Sequence, residues 1–517
     1  MQIFGLENDS NSASGEVIKT PFLSKVSFLI MTRLIYPCLF VLICITTNAS
    51  LDCFAQNSRF EHAKSDSIKI FNIKDYGATG DGKSIDTEHI NKAIIDCSNN
   101  GGGIVLVPEG TFVSGTILLK SNVILYLEKK SIILGTDDIS QYKSNNIRRN
   151  NSDRPLHLPL HNNSTWSHAL ILLDQVRNVT ITGSGRIDGN AIVDKKGEEG
   201  WRGPHGILIK ESQNIEISGI SISRSGNYNI LGADIEEVKL ANLLISEGSD
   251  GIHIRGGKNL RIENCKIFTG DDAIAGGYWE NMLITGCTIN SSCNGIRLIL
   301  PAINLGIVDC DIFGPGIFGH RRGSLNNPLV TNSLTGIIIQ PGAWGLGPGS
   351  LDKISIRNVR IRDMQTALTI VLKEGNQAGS IDIEDITATG IYRNACSVES
   401  WAEGSKFENI KIKNVSVTYH VDDEQVIGTT SVYKPNTESR ALPYWGFYIR
   451  NVDHIIFENV TFDYLGNKEI RPAIGFEKVN KATFDDIKYR TVSGIFSIKH
   501  SKNANIKKIS SRSINQK

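Results

Sequence analysis

"NLRIENCKIFTGDDAIAGGYWENMLITGC", residues 259–287, begins and ends on the same seven-residue pattern. The pattern returns as NLGIVDC from Asn304, and the related segments NIEISG and EVKLAN start earlier, at Asn214 and Glu237. Successive copies start 23, 22, 22 and 23 residues apart. A constant period of this length is typical of a solenoid, in which each copy forms one turn.

Each copy alternates apolar and polar residues over three to five positions, and Asn, Gly or Asp then interrupts the run before a second alternation. This period of two is typical of short strands. Strands this short bury their apolar faces only by stacking in parallel on the copy in the next turn. We therefore predict an all-β, single-stranded right-handed parallel β-helix, with DHIIFENVTFDY and NANIKKIS as late turns.

The open end of a solenoid core needs a cap. The segment DTEHINKAIIDCSNNGGG predicts a short N-terminal capping helix that starts at Asp86 and ends at Gly101. Its apolar residues at helical spacing predict the buried face; they are Ile90, Ala93, Ile94 and Cys97. The strands GIVLVPEG, GTILLK and NVILYLEKKSIIL follow, and we expect one β-helix domain over residues 66–517.

The first residues indicate export. The apolar run LIYPCLFVLICIT follows Arg33, and small residues follow the run, so residues 1–55 are predicted to be a signal peptide, with Met31 as an alternative start. The run is too short for a membrane span, which needs about 20 residues. A net charge of +1 gives no reason to expect a nucleic acid partner. We expect an exported monomer without a membrane span.

Cys265, Cys287 and Cys310 share one register in the repeat. They could form a metal or redox site, or a column of small side chains that point into the core. We favour the column, because cysteine is among the most buried residue types and packs as a small apolar residue.

Three polar residues share a second register. Asp250 begins DGIHI, Asp272 begins DAIAG and Asn294 begins NGIRL, at intervals of 22 residues, and Asp271 precedes Asp272. These side chains should stack about 4.8 Å apart per turn. The open alternatives are a column of Asx turns, a calcium site and a catalytic cluster. Catalysis is favoured, because one acid would serve a turn whereas GDD places two side by side.

Carboxyl groups in unlike environments suit glycoside hydrolysis, in which a protonated group donates to the leaving oxygen and an ionised group activates water. Close carboxylates raise the pKa of at least one of them. The residues alone therefore indicate inverting hydrolysis of a glycosidic bond.

Most of the predicted domain resembles glycoside hydrolase family 28, the polygalacturonases and rhamnogalacturonan hydrolases of pectin breakdown. The resemblance is carried by five segments: FNIKDYGATGDGKSIDTEHINKAI, GGGIVLVPEGTFVSGTILLKSNVILYLEKKSIILGT, GSGRIDGNA, GPHGILIKESQNIEISGISISRSGNYNI, and SDGIHI followed by TGDDAIAGG. It implies Asp271 as general acid, with Asp250 and Asp272 positioning and deprotonating the attacking water. It implies no cofactor and no metal.

The chain departs from three family motifs. Gly248 and Ser249 stand where Asn and Thr usually precede the first catalytic aspartate, and Asn294 replaces the histidine of Gly-His-Gly. Ile338 and Gln340 replace the cations of Arg-Ile-Lys, which hold the substrate carboxylate in the family.

Other residues could replace the lost cations. The glycines of NGIRL and GIIIQ align, which places Arg297 in register with Ile338, so Arg297 is either a binder of an acidic or polar sugar group or a solvated arginine. The insertion FGPGIFGHRRGSLNNPLVTNS, residues 313–333, carries His320, Arg321 and Arg322, which either reach over the cleft or form a solvated tip. Asn294, Arg297, His320 and Arg321 are the predicted substrate-binding residues.

Three tryptophans lie near predicted loops and could stack on sugar rings, although packing is the simpler expectation; they are Trp344, Trp401 and Trp445. The sequence indicates no role for Glu399. We expect a secreted hydrolase that acts on a pectin-like, galacturonic-acid-containing polysaccharide or oligosaccharide. A β-helix polysaccharide lyase and a non-catalytic glycan-binding β-helix are the alternatives.

Overall fold

In the computed structural model the chain winds into a right-handed parallel β-helix whose coils carry up to three strands each. The structure describes residues 68–143, 168–345, 347–420, 431–465, 471–491, 496–499, 504–506 and 509–511. These residues belong, from Lys69 onward, to one unit that extends to Lys517. The predicted signal peptide, residues 1–55 including Met31, lies outside the described residues. The all-β fold and its parallel pairing are as predicted.

The strands stack into three faces. Face 1 contains the repeated register that starts at Asn214, and its longer members also continue into a neighbouring face. Its strands are Ile70–Asn72, Gly103–Val107, Val123–Leu127, Arg177–Gly183, Gln213–Ser218, Ile230–Ala241, Ile252–Glu263, Ile274–Thr285, Ala302–Val308, Gly349–Arg362, Asn376–Ile391, Phe407–Lys413, Phe447–Tyr464, Ile474–Arg490 and Ala504–Ile506.

Face 2 follows face 1 in each coil. It takes the C-terminal ends of four long strands that begin at Gly349, Asn376, Phe447 and Ile474. Its own strands are Asp81–Ile85, Gly110–Ser114, Ser131–Gly135, Arg186–Asp188, Ser221–Ser223, Leu244–Ser246, Lys266–Thr269, Thr288–Ser291, Asp311–Phe313, Ser416–Tyr419 and Ile509–Ser511.

Face 3 completes the coil and carries the predicted site. It takes the N-terminal ends of the long strands that begin at Ile230, Ile252, Ile274, Phe447 and Ile474. Its own strands are Ile117–Leu118, Ala169–Asp174, His205–Lys210, Ile296–Leu298, Thr335–Ile339, Thr366–Leu372, Cys396–Ser400 and Ile498–Lys499. A separate antiparallel pair, His320–Arg321 with Leu329–Val330, lies in the 313–333 insertion, and 3-10 turns occupy Ile73–Tyr76, Ile139–Gln141 and Glu198–Gly200.

Stacked apolar columns form the core. Ile252, Ile274, Ile296 and Ile337 pair in register on successive turns and are all buried. A slip of one residue in a strand would turn its inward side chains to the outer surface. The alternation of apolar and polar residues therefore fixes the register. This is the parallel, fully stacked core that the short alternating runs predict.

The repeated asparagines mark a corner of the coil. Asn259, Asn281 and Asn304 have φ between 56° and 57°, in the left-handed region that asparagine tolerates better than most residues. The Asn281 amide donates to Asn259 Oδ1 (3.1 Å), and the Asn304 amide donates to Asn281 Oδ1 (2.8 Å). The repeated asparagine therefore forms both the turn of each coil and a ladder of side-chain hydrogen bonds between coils.

The capping helix spans Thr87–Asn99 and buries its predicted apolar face, Ile90, Ala93, Ile94 and Cys97. Asp86 precedes the helix as expected but makes no side-chain capping bond. Its carboxylate instead accepts from Thr79 N (2.8 Å) and Gly80 N (3.1 Å), so it ties the helix to the preceding loop. Gly101 follows the helix with a φ of 89°.

The cysteine column packs inward. Cys265, Cys287 and Cys310 are all buried in the main apolar core and are free thiols. This outcome favours the packing interpretation over a metal or redox site. No helix in the described part of the chain is long and apolar enough to cross a membrane.

Candidate active site

The predicted polar column lies at the corner where face 2 passes into face 3. Gly251 N donates to Asp272 O (3.0 Å), and Ala273 N donates to Asn294 O (3.0 Å), so Asp250, Asp272 and Asn294 occupy successive turns in one register. A Cβ on Gly251 would lie 2.5 Å from Ala273 O, so a larger residue would disturb this corner. The glycine after the aspartate thus allows the coils to approach where the acids stack.

Asp250 is buried beside a histidine on its own turn. His253 Nδ1 lies 2.6 Å from Asp250 Oδ2, and Arg255 Nε donates to His253 Nε2 (2.9 Å). Because Nε2 accepts, the His253 proton lies on Nδ1 and is donated to Asp250. Burial and then the charge of Arg255 hold the pKa of His253 well below its ordinary value, so this histidine is neutral.

Asp271 faces basic side chains from two other segments. Arg202 Nη2 donates to Asp271 Oδ2 (3.1 Å), and His320 Nδ1 lies 3.8 Å from the same oxygen. Asp272 N donates to Asp271 Oδ1 (3.1 Å). Burial acts to raise the pKa of Asp271, but His320, Arg202 and Arg297 outweigh it, and the pKa lies well below its ordinary value.

Asp272 lies between an amide and a guanidinium. The Asn294 side chain donates to Asp272 Oδ1 (2.8 Å), and Arg297 Nη1 lies 3.4 Å from Asp272 Oδ2. Burial raises the pKa of Asp272, Arg297 acts to lower it and Asp271 to raise it, and the net direction is upward. Burial, followed by the charges of Asp271 and Asp272, raises the pKa of Asp250 well above its ordinary value. The three carboxyl groups therefore have opposed proton affinities within one cluster, the arrangement that acid and base roles require.

A fourth carboxyl group reaches the cluster from residues 431–445, which we call the strap. Glu438 Oε1 lies 2.9 Å from Arg297 Nη1, and Glu438 Oε2 accepts from the Asn294 amide at 3.3 Å. Arg297 Nη2 also donates to Thr437 O (2.5 Å). Arg297 is buried and has acidic partners on two sides, so its charge is largely neutralised within the protein.

The strap is anchored on face 3. Arg440 makes a bidentate pair with Glu399, at 2.6 Å and 2.7 Å, and both side chains are buried. Trp401 Nε1 also donates to Glu399 Oε2 (2.7 Å). Glu399, for which the sequence indicates no role, is therefore the anchor of the strap, and Trp401 packs against that anchor.

The 313–333 insertion contributes His320 to the site. Its other predicted substrate-binding residue, Arg321, binds within the insertion. Arg321 Nη1 donates to Leu325 O (2.6 Å) and Asn327 O (2.7 Å), so Arg321 shapes the insertion itself. Trp201 Nε1 donates to Gly323 O (2.8 Å), which joins the insertion to the segment that carries Arg202.

The predicted tryptophans separate by environment. Trp445 is buried in the core, as the packing interpretation expects. Trp344 is 65% exposed, with the Arg297 guanidinium 5.4 Å from the centre of its ring. Trp344 is therefore positioned at the surface of the site.

One group of three potential metal ligands occurs among the described residues, namely Asp271, Asp272 and Cys293, with ligand atoms within 4.8 Å of one another. Burial, followed by the charges of Asp272 and Asp271, raises the pKa of the Cys293 thiol well above its ordinary value, so the thiol stays protonated. Asp271 already pairs with Arg202. This set is a poor match for calcium, which prefers six to eight oxygen ligands.

A family model described as "Rhamnogalacturonase A/epimerase, pectate lyase-like" matches residues 70–297. A "Probable polygalacturonase" of Vitis vinifera is 26% identical over 334 residues, which cover 59% of this chain and 63% of that protein. A "Polygalacturonase" of Juniperus ashei is 23% identical over 388 residues, 69% of each chain. These matches, at low identity, support the resemblance to glycoside hydrolase family 28 as that of a divergent member.

A solved structure has the same fold as this chain. The surface protein and adhesin PfbA of Streptococcus pneumoniae superposes with a TM-score of 0.51 at 15% identity, over 85% of this chain and all of that one. At this identity the likeness concerns the fold alone.

The family 28 motif positions that carry altered residues differ in their surroundings. Asn294 donates to Asp272 and accepts from Thr335 N (3.1 Å), so its amide holds the corner together. Arg297 pairs in register with Ile338, as predicted, and both are buried. Both polar atoms of the buried Gln340 side chain have no hydrogen-bond partner among the described residues.

Sequence reasoning missed four charged or titratable residues of this site: Arg202, His253, Arg255 and Glu438. A usable pattern existed for two of them. Ile252 and Ile254 point into the core, so alternation turns the side chains of His253 and Arg255 away from the core, on the same side of the strand as the site, where His253 is covered by its neighbours. Arg202 and Glu438 lie in segments without the repeat, and no pattern in the sequence links them to the aspartates.

Proposed function

We propose that this protein is a glycoside hydrolase that cleaves α-linked, galacturonic-acid-containing, pectin-like polysaccharide or oligosaccharide by single-displacement inverting hydrolysis. The observation that carries the proposal is the cluster of buried Asp250 and Asp272 with the partly exposed Asp271, in which neighbouring carboxyl groups have opposed pKa shifts. The substrate class is taken from the grape and juniper polygalacturonases to which the chain is similar. We also propose export, on the apolar run at the N-terminus.

The roles implied by the family are proposed with one condition. Asp271 donates a proton to the leaving oxygen, while Asp250 and Asp272 position the water and take its proton. In the free site His320 and Arg202 act to lower the pKa of Asp271, whereas the pKa values of Asp250 and Asp272 are raised, so we assign the cluster's proton to Asp250 or Asp272. Asp271 acts as donor once substrate displaces Arg202 and the proton passes to it. Coupled carboxyl groups exchange protons in this way, and their pKa values belong to the cluster.

Digestion of galacturonan, rhamnogalacturonan and neutral glycans, with NMR assignment of the product anomers, tests the proposal. We expect new reducing ends from an acidic pectin substrate, first released with inverted anomeric configuration. The variant Asp271→Asn should lose roughly 10²–10⁴-fold in rate, the usual contribution of a general acid. Ultraviolet-absorbing unsaturated products would indicate a lyase and would overturn the proposal.

A non-catalytic glycan-binding protein is the second candidate. The neutralised Arg297 and the asparagine at the histidine position favour it, because both remove groups that the family motifs supply. Binding of the same glycans without any new reducing end would establish this candidate in place of hydrolysis.

A further inference from the structure

A cleft of about 400 Å³ lies beside the cluster, where two consecutive face 3 strands end. Gly342 and Lys373 follow those strands, and the strap closes the other side with Lys434 and Asn436. The backbone at Gly342 has a φ of 87°, and a Cβ there would lie 3.3 Å from Lys373 Cβ. Glycine thus keeps this wall of the cleft open beside Lys373.

The cleft carries a cation without an acidic partner. The half-buried Lys373 Nζ donates to Asn436 O (2.5 Å), and no carboxylate of the described residues lies within ion-pair distance of it. Lys434 pairs with Glu374 at 3.5 Å. Burial, and then the positive charges of Lys434 and Arg297, lower the pKa of Lys373. An anion placed in the cleft would relieve this repulsion.

The cleft adjoins the catalytic cluster through consecutive strap residues. Asn436 O accepts from Lys373, Thr437 O accepts from Arg297, and the Glu438 carboxylate pairs with Arg297. A contact of Lys373 and a contact of the buried arginine therefore lie on adjacent strap residues, so the cleft and the cluster are neighbours along the strap.

We propose that this cleft binds the carboxylate of a uronic acid residue next to the scissile bond, with Lys373 as its cationic contact. The inference rests on the proposed function and names where its substrate's charge is recognised. Glu438 and Asp272 already neutralise Arg297, so the guanidinium is a poor contact for a further carboxylate. Lysine supplies three donors on a flexible stem, which suits a carboxylate that enters from solvent.

Binding measured without turnover tests the cleft separately from catalysis. In an Asp271→Asn background, calorimetry compares trigalacturonic acid with its fully methyl-esterified form. Adding Lys373→Gln should weaken binding of the free acid roughly 10- to 100-fold, the range for a charge-assisted contact, and leave binding of the ester unchanged. Lys373→Arg, which keeps the charge, should recover most of the affinity.

The exposed Lys266 on face 2 provides a matched control, and Lys266→Gln should bind both probes as the parent does. Equal losses for acid and ester, or no loss for the acid, would overturn the inference. If Lys373→Gln discriminates between the probes but the parent enzyme hydrolyses neither, the cleft stands and the proposed hydrolysis fails. If the parent enzyme hydrolyses the acid and Lys373→Gln leaves the KM unchanged, the proposed hydrolysis stands and the inference about the cleft fails.

Discussion

Arg202 contacts Asp271 directly and acts to lower its pKa, together with His320 and Arg297. It donates to Asp271 at 3.1 Å, and it also contacts Glu199 (3.3 Å) and Asn227 (3.1 Å). It is buried, so its field acts on Asp271 with little screening by solvent. A general acid must carry its proton at the working pH. Arg202 favours the ionised form of Asp271 and so opposes that state in the free enzyme.

The pH dependence of Arg202→Gln should reveal which role Asp271 has. Removing the cation raises the pKa of Asp271, so a donor at this position stays protonated to higher pH. We therefore expect the basic limb of the kcat/KM profile, which reports the free enzyme, to move to higher pH. If the acidic limb moves up instead, Asp271 works in its ionised form and the assigned role is wrong. Arg261→Gln, on exposed face 1, serves as the control with an unchanged profile.

At the scale of elements, the strap depends on one buried ion pair. Arg440 and Glu399 are bidentate and almost wholly enclosed, and Arg440 Nε also donates to Tyr433 O (2.8 Å). The strap holds Glu438 against Arg297 and Asn436 against Lys373. Loss of the anchor should therefore affect both stability and substrate binding.

Arg440→Met should destabilise the protein by about 3–5 kcal/mol, because it leaves the Glu399 carboxylate buried without a partner. Urea denaturation measures this loss. The exposed pair of Lys258 and Glu280, at 3.2 Å, gives the comparison, since Lys258→Met should cost less than about 1 kcal/mol. Combining Arg440→Met with Glu399→Leu should recover part of the stability. Similar losses of stability in Arg440→Met and Lys258→Met would contradict the anchoring role.

At the scale of the whole molecule, stability comes from a core that runs along the solenoid and needs protection at its open end. The capping helix supplies that protection with a buried face, while its neighbouring residue Ile95 is 46% exposed. Each coil contacts mainly its neighbours, so unfolding of the cap exposes the first coil and destabilises the following coils in turn.

Ile94→Ala should lower the free energy of unfolding by about 2–5 kcal/mol, since it opens a cavity under the helix. Ile95→Ala, one residue away in the same helix, should change it by no more than about 0.5 kcal/mol. Thermal and urea unfolding of the two variants gives the measurement. Equal effects would show that the helix does not seal the core.

The sequence by itself determined the coil, the inward columns, the stacking of Asp250, Asp272 and Asn294, and the register of Arg297 with Ile338. A strict period of 22 or 23 residues suffices for these features, because parallel pairing places equivalent residues of successive turns beside one another. Only the tertiary structure decided which groups complete the site. Arg202 lies 69 residues from Asp271, and Glu438 lies 144 residues from Asn294. Both belong to segments outside the repeat, whose path depends on packing and buried ion pairs, so the protonation of the cluster and the pairing of Arg297 could not be read from the period.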